Sequence, residues 1–170
     1  MQQLIEKAKR GDDAAFLELF NEYQDLLYRM AFLHVKNKDD ALDVVQETAY
    51  KSFKNLSTLK SPHYFKTWLI KITMSTAIDL LRKKKKITVL KPEYAESLPT
   101  SDHDIALSLS LKEMLNTLTE EEKSIVFLKY YDDCTIQEIA DTVEIPLGTV
   151  KSVLYRALGK LRKQVRRADL

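Results

Sequence analysis

Thr149, Lys151, Ser152, Tyr155 and Arg156 fall within the stretch TVKSVLYR at spacings of one to three residues, and a helix carries them on one face. Hydroxyls and lysine ammonium groups anchor to phosphate oxygens, and an arginine fork matches the paired acceptors on a guanine edge. The chemistry on offer is recognition of a duplex polyanion rather than bond-making. The face continues into Lys160, Arg162, Lys163, Arg166 and Arg167. Taken alone, the stretch also fits an ordinary helical hairpin with a solvated basic face.

A second cluster mixes cations with rings. Tyr64, Phe65 and Trp68 follow a polar loop, Lys66 and Lys71 interleave with them, and Arg82 to Lys86 form an unbroken basic run. Cations beside aromatic faces hold unstacked single strands, each stacked base contributing roughly 1–3 kcal/mol. Core packing is the competing reading for Phe65 and Trp68. Charge complementing a helix C-terminus accounts for one or two of the lysines, hardly for five cations.

The third cluster is acidic, with Asp39, Asp43 and Glu47 at i, i+4 and i+8. Adjacent carboxylates can hold magnesium, yet neither histidine nor a phosphate-binding glycine loop accompanies them. A metal-dependent enzyme is therefore the weakest reading, and no catalytic residue, metal or cofactor is expected.

These clusters need elements to carry them. Only three glycines and four prolines interrupt 170 residues, while 45% are apolar, which favours helices over turn-dense sheets. Cys134 has no partner, no apolar run approaches the roughly 20 residues of a membrane span, and the start MQQLIEKAKRGDD lacks the apolar core of a secretion signal. A soluble protein of a reducing cytoplasm is expected.

The net charge of +2 conceals segregation. Residues 1–60 balance nine basic against ten acidic groups, whereas 61–90 carry seven against one. Residues 91–146 carry four against thirteen, and 147–170 again seven against one. Two basic blocks, each ending an amphipathic segment, suggest two contacts with a polyanion.

Phe16, Phe20, Tyr23, Leu27 and Met30 alternate steps of four and three, the spacing of one buried helical stripe. NKDDALDVVQETAYKSF predicts a second helix with Leu42, Val45, Ala49 and Phe53 inward. Ser61 and Pro62 suit the cap and first turn of a third, with Phe65, Leu69, Ile72 and Leu80 near its inner face. Three helices to about residue 86 make one domain. Periodicity fails over 87–104, which predicts a flexible linker. It resumes at Ile105, Leu111, Leu115 and Leu118, and two capping boxes follow, Thr119 with Glu122 and Thr135 with Glu138. Ile139, Ala140 and Val143 then face Val150, Leu154, Ala157 and Leu161 across a turn at Ile145 and Pro146. The expectation is an all-α chain: two small helical domains, 1–86 and 105–170, joined by a flexible linker, the second domain of about four helices and containing a helix-turn-helix.

With these motifs in place, the chain resembles an extracytoplasmic-function (ECF) sigma factor, a bacterial transcription initiation factor. DALDVVQETAYKSF resembles the family's region two helix that docks on core RNA polymerase, and FKTWLIKITMSTAIDLLRKK its promoter-melting and −10-reading helix. LNTLTEEEKSIVFLKYYDDCTIQEIADTVEIPLGTVKSVLYRALGKLR resembles region four, the −35-reading helix-turn-helix.

The resemblance implies roles for particular residues. Asp40, Asp43, Gln46 and Glu47 would meet the polymerase clamp helices. Lys66, Trp68, Lys71, Arg82 and Lys83 would hold −10 DNA, with Asp79 either contacting DNA or bracing the fold. Residues 55–63 would capture a flipped-out base, whose extraction costs a few kcal/mol. Thr149, Lys151, Ser152, Tyr155 and Arg156 would read the −35 element. Three positions depart from the family: Glu144 where the turn usually has glycine, Val153 where a DNA-contacting arginine is frequent, and Ser75 where asparagine is common. The implied partners are core RNA polymerase, promoter DNA as duplex and melted strand, and an anti-sigma factor at the membrane, in a stress or envelope response. A stand-alone helix-turn-helix regulator is the alternative; it would usually dimerise on a palindrome and needs no single-strand features.

Overall fold

The computed structural model describes residues 1–90 and 114–168, with side chains over 1–87 and 114–165. Among them every regular element is helical. The chain divides into two compact units, Met1–Lys84 and Lys85–Leu170.

Four α-helices, one more than expected, occupy the first segment: α1 (Gln2–Lys9), α2 (Asp13–Val35), α3 (Lys38–Asn55) and α4 (Phe65–Leu90). Helix α1 is too short for its periodicity to stand out, and it is cut from α2 by Gly11 at φ 92. Asp12 then caps α2, accepting from the Ala15 amide at 3.0 Å. The expected α2 stripe is buried at Phe16, Phe20, Leu27 and Met30, with Tyr23 half-buried. Lys36 closes the helix in the left-handed region, and Asn37 caps α3 by accepting from the Asp40 amide at 3.0 Å. With only two residues between them, α2 and α3 form a hairpin packed along its length.

The inner face of α3 is corrected. Ala41, Val44, Val45, Thr48 and Ser52 are buried, whereas Leu42 and Phe53, expected inward, are 49% and 44% exposed. Thr48 and Ser52 tolerate burial because their hydroxyls donate to the carbonyls of Val44 and Ala49. Phe53 keeps one edge on the Phe16 ring at 5.2 Å.

After α3 the chain makes two 3-10 turns, Leu56–Thr58 and Pro62–Tyr64, pinned by buried Leu56 and Leu59. Ser61 therefore caps a short 3-10 turn, without a side-chain hydrogen bond, and not α4 itself. Lys9 of α1 donates to the Leu59 carbonyl at 2.6 Å, tying the N-terminal helix to this loop. Helix α4 buries Phe65, Leu69, Ile70, Thr73 and Ala77; Ile72 and Leu80 are only half-buried. It runs on through Leu90, so the first four residues of the expected linker are helical. No glycine or proline interrupts that stretch until Pro92, which disfavours helix at the residue before it. The rest of the expected linker and the positions Ile105 and Leu111 lie outside the described residues.

The second unit contains α5 (Glu120–Tyr130), α6 (Ile136–Val143) and α7 (Leu147–Ala168), preceded by a helical end at residues 114–116. Both capping boxes form. Thr119 accepts from the Glu122 amide at 3.2 Å and Glu122 from the Thr119 amide at 2.9 Å, and Thr135 and Glu138 repeat the exchange. Helix α6 ends at Glu144 in the left-handed region, and the Pro146 carbonyl accepts the Val150 amide at 3.1 Å to start α7. Ile125 and Leu128 of α5, Ile139 of α6, and Val150 and Ala157 of α7 make a core in which none exceeds 0% exposure.

Candidate nucleic-acid interface

Helix α7 presents its candidate residues outward because every third or fourth position is taken by the core. Val150, Val153, Leu154 and Ala157 are buried, which leaves Thr149, Lys151, Ser152, Tyr155 and Arg156 exposed on the other side. Tyr155 is 75% exposed. Ser152 donates its hydroxyl to the Gly148 carbonyl at 3.0 Å and retains its acceptor lone pairs. Val153, at 2% exposure, packs into the core in this chain. Glu144 adopts φ 59, ψ 39, the positive φ for which a glycine would be the ordinary choice.

Arg156 has a partner that periodicity could not reveal. Its Nε donates to Glu122 Oε1 at 3.1 Å, and Lys160 Nζ donates to Glu122 Oε2 at 2.7 Å. Glu122 is 1% exposed. Burial works to raise its carboxyl, but the hydrogen bond from Lys160, the Thr119 amide and the charges of Lys160 and Arg156 outweigh it and hold the group below the ordinary carboxylate range. The sequence identified Glu122 as a cap; its second use depends on a residue 34 positions away.

On α4 the aromatic cluster divides. Phe65 is core at 1% exposure, its ring 5.9 Å from Tyr23, while Trp68 is half-buried with its ring 6.1 Å from Phe65. Tyr64, at 53% exposure, offers the open ring beside the loop, with His63 edge-on at 5.4 Å. Lys66 and Lys71 are half-buried, and Arg82, Lys83, Lys85 and Lys86 are exposed. Asp79 lies on the same helix, 3.8 Å from Arg82. Ser75 is exposed and donates to the Ile72 carbonyl at 3.0 Å. At a rise of 1.5 Å per residue, Trp68 and Arg82 are about 21 Å apart along α4, so rings and basic run are well separated on one rod.

The acidic row on α3 is exposed at Asp39, Asp43, Gln46 and Glu47, with Leu42 and Tyr50 exposed among them. Glu47 lies 3.6 Å from Lys51. Asp40 stands apart: its side chain is 15% exposed and accepts Lys84 Nζ at 2.6 Å, so it joins α3 to the basic end of α4. Among the described residues no three of His, Cys, Asp and Glu are grouped closely enough to hold a metal ion, so the carboxylate row forms no such site. Nor, among them, is any helix long and apolar enough to cross a membrane. Cys134 donates its thiol to Asp132 at 3.2 Å.

The family model for Sigma-70 region 2 matches residues 19–87 and that for Sigma-70, region 4 matches 108–161. The chain is 38% identical over 164 residues to the RNA polymerase sigma factor SigV of Bacillus subtilis, covering 96% of this chain and 99% of that protein. It is 28% identical to the ECF RNA polymerase sigma factor SigW of the same organism, over 98% and 97% of the two chains. Among solved structures, CnrH in complex with the cytosolic domain of CnrY superposes with a TM-score of 0.77 at 20% identity, covering 98% and 97% of the chains. RpoE in complex with the anti-sigma factor NepR from Bartonella quintana gives 0.75 at 21%, covering 89% and 96%.

Proposed function

The chain belongs to the ECF RNA polymerase sigma factors and directs transcription initiation, and from that premise we propose how its surfaces divide the work. The α3 face of Asp43, Gln46 and Glu47, with Asp40 at its edge, docks on core RNA polymerase. Exposed Leu42 and Tyr50 among the carboxylates support this, because a solvated polar face has no need of large apolar side chains. Helix α7 enters the major groove of the −35 element with Thr149, Lys151, Ser152, Tyr155 and Arg156. The single observation carrying this is that its core-facing positions are apolar and its outward positions are hydroxyl, aromatic or cationic. Lys66, Trp68, Lys71, Arg82 and Lys83 hold the −10 element, the ring end of α4 beside the strand to be unstacked and the basic end beside phosphates.

The protein makes and breaks no covalent bonds in this scheme. DNA opening is driven by capture of unstacked bases next to the loop at 55–63. The site of action is the cytoplasm, at the nucleoid. An anti-sigma factor that holds the protein at the inner face of the membrane until a stress or envelope signal is the partner expected; the complex solved for RpoE with the anti-sigma factor NepR supports such a partner by analogy. Stoichiometric co-elution with bacterial core RNA polymerase, followed by run-off transcription dependent on both −10 and −35 sequences, is the expected result. Duplex binding without polymerase association would replace this reading with a stand-alone helix-turn-helix regulator.

A further inference from the structure

We infer that Glu122 is a positioning residue that fixes the aim of Arg156, so that base selectivity at the −35 element is set partly from α5. The inference rests on the proposed docking of α7 in the major groove.

The carboxylate sits where it can act as a fixed post. It is 1% exposed, and its Oε2 is held by the Thr119 amide at the start of α5, at 2.9 Å, and by Lys160 Nζ at 2.7 Å. The other oxygen, Oε1, receives Arg156 Nε at 3.1 Å. Arg156 is gripped through that one nitrogen while its side chain stays 60% exposed. A guanidinium is planar and its donors are rigidly disposed, so fixing Nε also fixes the plane and heading of the two terminal nitrogens. Those two nitrogens form the edge that pairs with guanine O6 and N7. Lys160, one turn further on, takes the second oxygen and so leaves Oε1 to the arginine. A lysine in place of Arg156 would have no such division of labour, because its ammonium is a single point charge.

A stabilising ion pair without this function would weaken binding to every promoter by one factor, whereas a positioning residue changes discrimination at one base pair. The test uses full-length protein assembled with core polymerase, and a panel of promoters in which each −35 base pair is changed singly. Arg156→Ala is expected to lose discrimination at one position, by about tenfold. Glu122→Gln is expected to lose it at the same position, and the double variant to be no worse than Arg156→Ala. Should Glu122→Gln fail to show a folded melting transition, Glu122→Asp takes its place: it keeps the charge but is one methylene shorter, and the same loss is expected. If Arg156→Ala loses discrimination while the Glu122 variant keeps it, or weakens all promoters equally, the inference is overturned and the docking reading stands. If Arg156→Ala changes discrimination nowhere, the assigned role of Arg156 in that reading fails and the inference fails with it.

Discussion

Glu144 holds the turn between α6 and α7 at φ 59, a conformation that costs a residue with a Cβ roughly 1–2 kcal/mol. Glycine removes that cost but adds chain entropy to the unfolded state. The net expectation for Glu144→Gly is a gain of about 0.5–1 kcal/mol, read from the denaturant midpoint at unchanged slope. A loss would mean that the entropy added to the unfolded chain outweighs the strain. Glu122 gives a pH effect of defined sign. Its folded-state carboxyl lies below its ordinary value of 4.5, so its contribution to stability is complete above that value and is lost as pH falls through the lowered one. Below about pH 4.5 the native chain should therefore lose melting temperature more steeply than Glu122→Gln, measured by circular dichroism.

At the scale of elements, α3 allows a direct comparison of sequence with structure. Its exposed face mixes Leu42, Tyr50 and Phe53 with carboxylates, and its buried face includes Thr48 and Ser52. A pattern reading sends the larger apolar residues inward and so rotates the helix too far. Val44→Ala should cost about 2 kcal/mol as a core deletion. Leu42→Ala should change stability by no more than about 0.5 kcal/mol while weakening polymerase association. Equal losses of stability would restore the rotation expected from the pattern. Where local chemistry decides, the sequence was explicit: both capping boxes, the α2 stripe and most of the helix-turn-helix core follow from spacings of three and four, although Val143 and Leu161 are only half-buried. Where a contact joins distant positions it was silent, as with Glu122 to Arg156, Asp40 to Lys84 and Lys9 to the Leu59 carbonyl. Each joins a charged side chain to a group far along the chain, and their meeting depends on how the elements pack. Helix α1 escaped for another reason: it is as short as α6, eight residues, but has no capping box to mark its start.

Over the whole molecule, a net charge of +2 gives no hint of affinity for DNA, yet residues 61–90 and 147–170 each hold seven cations against one acid. What matters to DNA is the number of phosphates neutralised locally, because each one releases condensed counterions when it is contacted. The basic end of α4 separates cations with different employment. Lys84 is bound to Asp40, whereas Lys85 and Lys86 are exposed beyond it. If the latter two touch phosphate in the polymerase complex, replacing both with alanine should lower the slope of log affinity against log salt by up to about 2, nearly one unit per contact. The ranking of promoters should not change, since phosphate contacts carry no base information. Lys84→Ala differs in kind: it removes a cation and also leaves the half-buried Asp40 without the ammonium it accepts, so stability should fall together with affinity. Equilibrium binding of the holoenzyme across a salt series, paired with melting curves for each variant, separates the two cases. A slope unchanged by the Lys85 and Lys86 substitutions would mean that those lysines stay in solvent and that the grip on the −10 phosphates rests with Arg82, Lys83, Lys66 and Lys71.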